Sequence, residues 1–426
     1  MRAIVRDIYG DADVLHLADM PKPTIKPQEV LVRVHAAGVD RGAWHAMTGL
    51  PLIARLGFGL RRPRNRIPGL DLAGVVEAVG AEVTDFKPGD EVFGEGSSSW
   101  AEYARAKPHR LLHKPPHLTF PQAAVIPTSG ATALHMLLLP TALGSSSPSS
   151  TAAGPRSPSS TTHGPDSPSP TTHGPDSPSP TTHGPDSPSS TAHGSGSPSS
   201  TGPGSPSSTV HGLGSASRVP QPPGSTPPSA NDHDSSSSEA EEPGVGPWAV
   251  GGTASAGSGR EVLVIGAGGG VGSFAVLLAK ANGDVVTAVC STGKVEAVRG
   301  FGAARVIDYT REPLTGSYDL IVDIAGNRSL SQLRGLLKPR GVLSIAGGEQ
   351  GGRFFGGLER NLKALSVSPF LKQTLRAPIV IAKRDDLAAL TSIRSPLQRT
   401  YPLEEASNAM HSLATGQIAG KVALTL

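Results

Sequence analysis

EVLVIGAGGGVGSFAVLLAKANG (residues 261–283) decides how the rest of the chain is read. It opens on an apolar, β-branched run, turns through glycines, and continues with apolar residues at helical spacing. Gly266, Gly269 and Gly272 recur every third residue, and Gly270 and Val271 stand between the last two. A strand that turns directly into a helix needs glycine for the sharp turn, for close approach of backbone to a pyrophosphate, and for close helix–strand packing. The helix then presents its positive end to the phosphates.

Further β/α units follow. DVVTAVC (284–290), ARVIDY (304–309), YDLIVDIAG (318–326) and GVLSIAGG (341–348) read as strands, and ALSVSPF (364–370) reads as a sixth. Helical segments fall at 294–301 and 329–337. The expectation is a Rossmann doubly wound parallel sheet over 258–374, with ligand beyond the carboxyl ends of the strands. A dinucleotide site usually carries an acidic residue about 20 residues past the glycines, on the ribose 2′-hydroxyl. Here the second strand ends in CSTGK. Ser291 and Thr292 can donate to a 2′-phosphate and Lys294 can neutralise it, so NADPH is expected before NADH. Tyr309, Gly326, Asn327, Gly347 and Gly348 stand at strand ends where cofactor is expected.

The amino-terminal flank has another rhythm. EVLVRVHAAGV (29–39), PGLDLAGVVEAVG (68–80), FKPGDEVFG (86–94) and WAEYARA (100–106) are short strands set off by Gly and Pro turns, as in a compact β-rich domain. FPQAAVIPTSGATALHML (120–137) has helical periodicity interrupted at Pro127.

Between the flanks lies a ten-residue repeat, with five tandem copies starting at Ser147. It has almost no large apolar residue, and Pro and Gly in every unit, so burial cannot offset the ordering entropy. Residues 141–257 are expected to be a disordered insert. Its periodic histidines (His163, His173, His183, His193) are read as part of the repeat rather than as a metal site, because nothing orients them.

The insert distorts whole-chain composition. Residues 145–258 carry two basic and eight acidic side chains, so the remainder has a net charge of +9 against +3 overall. Aromatics are 4% of the chain and the basic residues are scattered, apart from Arg61, Arg62, Arg64 and Arg66. That argues against a nucleic-acid partner. One cysteine, Cys290, excludes an intrachain disulfide framework. No apolar run approaches a membrane span and no signal pattern is evident, so a cytoplasmic protein is expected.

Both flanks together resemble the medium-chain dehydrogenase/reductase superfamily, in its zinc-free quinone oxidoreductase or zeta-crystallin-like branch. The resemblance rests on AAGVDRGAWHAMTG, PGLDLAGVVEAVGAEVTDFKPGDEVFG, AEYA, IPTSGATAL, the glycine turn, YDLIVDIAG and GKVAL. It implies a GroES-like β-rich catalytic domain over 1–140, completed by a return segment at 375–426, and a homodimer through the Rossmann domain. It implies that Asp40, Trp44, His45 and Thr132 stand at the catalytic site and that Ser129 and Lys421 meet the cofactor. Zinc-dependent relatives carry Cys where Gly38–Val39 stand and a His-Glu pair where Leu70–Asp71 stand, so no zinc is expected. Residues 390–403 are shorter than in such relatives, which predicts a lost strand or turn. The implied activity is hydride transfer to a quinone or an α,β-unsaturated carbonyl. The rivals are a zinc-free aldehyde or ketone reductase, and an NADPH-binding protein with little turnover.

Overall fold

The computed structural model describes residues 1–138, 259–347 and 352–426. The expected disordered insert and Gly348 lie outside the described residues.

The amino-terminal flank forms the predicted strands. β1 (Arg2–Val5) pairs antiparallel with β2 (His16–Asp19). β3 (Val30–Val39) leads into α1 (Arg41–Thr48) and the one-turn α2 (Arg55–Phe58). β4 (Asp71–Val79), β5 (Glu91–Ser97) and β6 (Tyr103–His113) follow as an antiparallel meander. β3 pairs with both β4 and β6, closing these four strands on themselves. Alternate residues such as Val30, Val32 and Val34 enter the enclosed core with Trp100. α3 (Phe120–Ala124) and α4 (Pro127–Leu137) are separate helices. The break falls at Val125–Ile126, where Pro127 starts the second helix in the position that suits its missing N–H.

The carboxyl-terminal flank begins with β7 (Glu261–Ile265), then α5 (Gly270–Ala281), β8 (Val285–Cys290), α6 (Val295–Gly300), β9 (Arg305–Asp308) and β10 (Tyr318–Asp323). α7 (Leu330–Gly335), β11 (Leu337–Ile345), α8 (Leu358–Val367) and β12 (Thr374–Arg376) complete the unit. The strands pair in parallel in the order β12-β11-β10-β7-β8-β9. The direction of winding reverses between β7 and β10, where a ligand crevice is expected.

One strand assignment is corrected. ALSVSPF is not the sixth strand: its first four residues end α8, and the strand is Thr374–Arg376. Leu358, Leu362 and Leu365 recur at helical spacing, and that periodicity outweighs the strand propensity of a short VSPF run. Pro369 lies just past the helix.

The chain then returns. α9 (Arg384–Leu390) packs beside α4. β13 (Leu397–Pro402) lies parallel to β14 (Lys421–Thr425), with α10 (Ala406–Ala414) between them. The shortened 390–403 stretch therefore still yields a strand. β14 adds antiparallel to β3, Val422 opposite Val39, and so completes the amino-terminal sheet from the other end of the chain.

A single apolar core joins the two parts: Leu134 and Met136 of α4 are buried with Phe274 and Ala275 of α5. Arg260 donates to the carbonyl of Leu137 at 3.2 Å, so the described residues on either side of 139–258 lie close together. Closing a loop costs about (3/2)RT ln n, so trading 139–258 for about six residues should favour folding by about 2–3 kcal/mol. A chain with 139–258 replaced by a short Gly/Ser linker is expected to melt no lower than the full chain, as read by calorimetry. A collapse in melting temperature would mean that the removed residues belong to the core.

Candidate functional site

The glycine turn dictates the site. Gly266 sits at φ 88°, in the left-handed region that glycine favours. Gly272 lies where a Cβ would stand 2.1 Å from the Gly266 carbonyl oxygen, so it sets how closely α5 packs on the turn. Two lysines press on the same turn, one from the next β/α unit and one from the returning strand near the carboxyl terminus. A Cβ on Gly268 would meet the Lys294 side chain at 2.6 Å, and one on Gly270 would meet Lys421 at 2.8 Å. Lys294 Nζ donates to the Gly268 carbonyl at 3.4 Å. Lys421 is 1% exposed and its Nζ donates to Ser129 Oγ at 3.1 Å.

These groups border a cleft of about 310 Å³. Gly266, Gly269, Gly270 and Val271 form its floor at the amino-terminal end of α5. Ser291, Lys294 and Tyr309 line it at the β8–β9 edge, and Asn327 lines it beyond β10. Asp40, Ser129 and Lys421 face it from the amino-terminal sheet and its returning strand. The expected cofactor residues from three distant stretches of sequence thus meet on one cavity. Backbone N–H groups at a helix start suit a pyrophosphate and the ammonium groups at the cleft suit further anionic groups, so the residues present fit a phosphorylated dinucleotide.

Other expected site residues, some of them adjacent in sequence to residues that border the cleft, have the following surroundings. Trp44 packs against the core of the amino-terminal sheet, edge-on to His45, whose Nδ1 is 2.6 Å from the Leu50 carbonyl. Thr132 Oγ1 donates to the Thr128 carbonyl at 2.7 Å, inside its own helix. Thr292 Oγ1 donates to Asp308 at 2.6 Å, one residue from Tyr309. Gly326 (φ 67°) and Gly347 (φ 79°) turn the chain after β10 and β11. None of these six side chains or glycines borders the cleft.

The cleft also has residues that sequence reasoning passed over. Arg41 and Arg328 border it, as do Gly268, Ile418 and Gly420. Arg41 and Arg328 each adjoin a residue that was singled out, which was the available signal. Ile418 and Gly420 reach the site only because β14 returns to β3.

Behind the cleft lies a carboxyl pair. Asp71 and Glu95 are opposite each other on β4 and β5. Thr128 donates to Asp71 from its backbone N at 3.2 Å and from Oγ1 at 2.5 Å, which ties the start of α4 to β4. Complete burial, and secondarily the Asp40 carboxylate, hold the Asp71 carboxyl well above its usual range, with Lys421 opposing. Burial likewise raises Glu95. Burial, then Asp308, pushes the Cys290 thiol up, so Cys290 is no ready thiolate.

The donor set does not suit zinc. Gly38, Val39 and Leu70 offer no side-chain ligand, and Asp71 is engaged by Thr128. Among the described residues no group of three or more His, Cys, Asp or Glu is placed to share a metal ion.

The chain is similar to several known proteins. Residues 26–116 match the sequence-family model of the alcohol dehydrogenase GroES-like domain, and 301–424 that of zinc-binding dehydrogenases. A quinone oxidoreductase of Lama guanicoe is 38% identical over 142 residues, 32% of this chain and 41% of that protein. A chloroplastic NADPH-dependent alkenal/one oxidoreductase of Arabidopsis thaliana is 35% identical over 148 residues, 31% of this chain and 36% of that protein. The aligned stretch thus spans about two fifths of the length of such relatives. The quinone oxidoreductase of Coxiella burnetii shares the fold with a TM-score of 0.62 at 20% identity, over 100% of this chain and 99% of that one. Escherichia coli quinone oxidoreductase, solved with NADPH, gives 0.61 at 16% identity over 100% of both chains.

Because Asp71 binds its proton more tightly folded than unfolded, its contribution to stability is full below about pH 4 and is lost as pH rises through its folded value. The melting-temperature advantage of the natural chain over Asp71→Asn is therefore expected to be larger near pH 4 than near pH 8. A pH-independent difference in thermal melts would show that Asp71 is not perturbed.

Proposed function

From a chain that belongs to the medium-chain dehydrogenase/reductase superfamily, we propose an NADPH-dependent oxidoreductase that reduces a quinone or an α,β-unsaturated carbonyl without zinc. The observation that carries this reading is the convergence of Lys294 and Lys421 on one glycine turn that opens α5. NADPH, when bound, supplies the hydride.

The backbone at Gly269, Gly270 and Val271 holds the pyrophosphate with the positive end of α5. Lys294, with Ser291 and the Tyr309 ring at the cleft edge, takes the 2′-phosphate. Thr292, bound to Asp308, keeps that carboxylate occupied beside the phosphate site. Lys421 and Ser129 position the cofactor from the side of the returning strand. The substrate end is bounded by Asp40, Arg41, Asn327 and Arg328. The donors of Arg41, Asn327 and Arg328 suit an oxygen that becomes negative as hydride arrives. A plain ketone gains most from a Lewis acid on its oxygen, whereas a quinone or enone spreads the charge and can be reduced with hydrogen-bond donors. The relatives with printed quinone and alkenal/one oxidoreductase names support the same substrate class. Exposed Phe370, Ile379 and Ile381 beside edge strand β12 support a homodimer through the Rossmann sheet.

The test is to mix purified full chain, NADPH and a panel of quinones, enones and aldehydes, with and without chelator. NADPH should be consumed with quinones or enones, unaffected by chelator; NADPH that binds and is never consumed would overturn the reading. Charged hydrogen bonds contribute about 1.5–3 kcal/mol. Lys294→Ala should therefore weaken NADPH about ten- to hundredfold and leave NADH nearly unchanged, by titration of cofactor fluorescence.

A further inference from the structure

Residues 41–70 contain no acidic residue, and PLIARLGFGLRRPRNR (51–66) within them alternates bulky apolar and arginine side chains. The structure turns this stretch outward. Leu56 and Leu60 are 65% and 67% exposed, an unusual state for neighbouring leucines on a folded surface. Arg61, Arg62 and Arg64 are exposed beside them, and among the described residues none of the three is in an ion pair. Arg66, by contrast, is paired with Asp7.

A second segment extends the same surface. Leu52 and Ile53 donate their backbone N–H groups to the carbonyls of Arg353 and Phe354, at 2.9 and 3.1 Å. Phe354 and Phe355 are 67% and 52% exposed. They run into α8, where Leu358, Leu362 and Leu365 recur on one helical face and all are exposed. Residues 352–376 hold five basic side chains and one acid, Glu359. Arg360 is paired with Asp323 and Arg376 is turned inward to the Met136 carbonyl, so the free positive charge comes from Arg61, Arg62 and Arg64, and the two adjoining segments together set protruding apolar side chains beside it. Water solvates neither the leucines nor the phenylalanines well, and an anionic protein groove would demand a fixed complementary shape. A fluid anionic interface accepts both features at once: the apolar tips enter the acyl boundary and the arginines meet headgroup phosphates.

We propose that this surface, Leu56, Leu60 and the Phe354–Leu365 face with Arg61, Arg62 and Arg64, docks the protein on an anionic membrane surface. The chain runs from Asp40 at the cleft through α1 directly into this surface. Docking thus sets the cleft beside the bilayer, where lipophilic quinones and enones concentrate. That last step rests on the proposed function; the docking itself does not.

The experiment sediments the full chain with phosphatidylcholine vesicles, with and without phosphatidylserine, and needs no turnover. Binding is expected with phosphatidylserine, weak with phosphatidylcholine alone, and falling as salt rises. Each arginine near an anionic surface contributes about fivefold in affinity, so the triple variant Arg61→Ala, Arg62→Ala, Arg64→Ala should lose about a hundredfold. Leu56→Ser with Leu60→Ser should also lose binding, and both variants should keep the natural melting temperature and the natural rate on a water-soluble acceptor. Absence of binding to the anionic vesicles, or a triple variant that binds as the natural chain does, overturns the proposal. So does an oligomer, seen by analytical ultracentrifugation, that the Leu56→Ser, Leu60→Ser pair dissociates, since a second copy would then be the occupant. If the membrane binding holds while NADPH is never consumed, the docking stands and the substrate reading falls.

Discussion

The hydrogen bond from Lys421 to Ser129, made across Gly270, is the contact on which the site depends. Lys421 opens β14, the last strand; Ser129 lies in the first turn of α4; Gly270 opens α5. One ammonium group thus joins the carboxyl-terminal strand, the amino-terminal half and the glycine turn. Burying a lysine is costly unless it is paired. Among the described residues its hydrogen bond is to a neutral hydroxyl, a weak partner for a group with three donors. An anion in the cleft would supply what the protein leaves out.

The geometry of that contact is set one layer further back. Asp71 holds Thr128 by backbone and hydroxyl, and so fixes the start of α4 and the position of Ser129 beside it. β14 is held in turn by its pairing with β3 and β13. Strain anywhere along β4, α4 or β14 would move Ser129 or Lys421 relative to the turn. The site is therefore a product of both flanks, although the glycine turn itself is local.

That division explains what could be read in the sequence. The Rossmann unit was legible because strand, glycine turn and helix follow within residues 261–281, and local geometry leaves little choice. The β-rich flank was legible from alternation in stretches such as EVLVRVHAAGV. ALSVSPF was misread because strand propensity over a few residues competes with a helical period that shows only when Leu358 and Leu362 are included. The residues that border the cleft could be singled out one by one; that Lys294 and Lys421 meet one turn depends on contacts spanning 26 and 151 positions. Trp44 packs against the core, and His45 and Thr132 are hydrogen-bonded to the Leu50 and Thr128 carbonyls. No spacing rule reveals such local partners. Asp71 was legible only as a position lacking a zinc ligand pair; its bond to Thr128 is a matter of tertiary structure.

The most direct test of this account is the affinity of Lys421→Met for NADPH, titrated alongside the natural chain and paired with a thermal melt. Methionine keeps the length and burial of the side chain and removes its charge. The account predicts NADPH binding at least about tenfold weaker, the loss of one charged hydrogen bond, with the fold retained. Unchanged NADPH affinity in a folded Lys421→Met protein would contradict it, because the returning strand would then take no part in holding the cofactor.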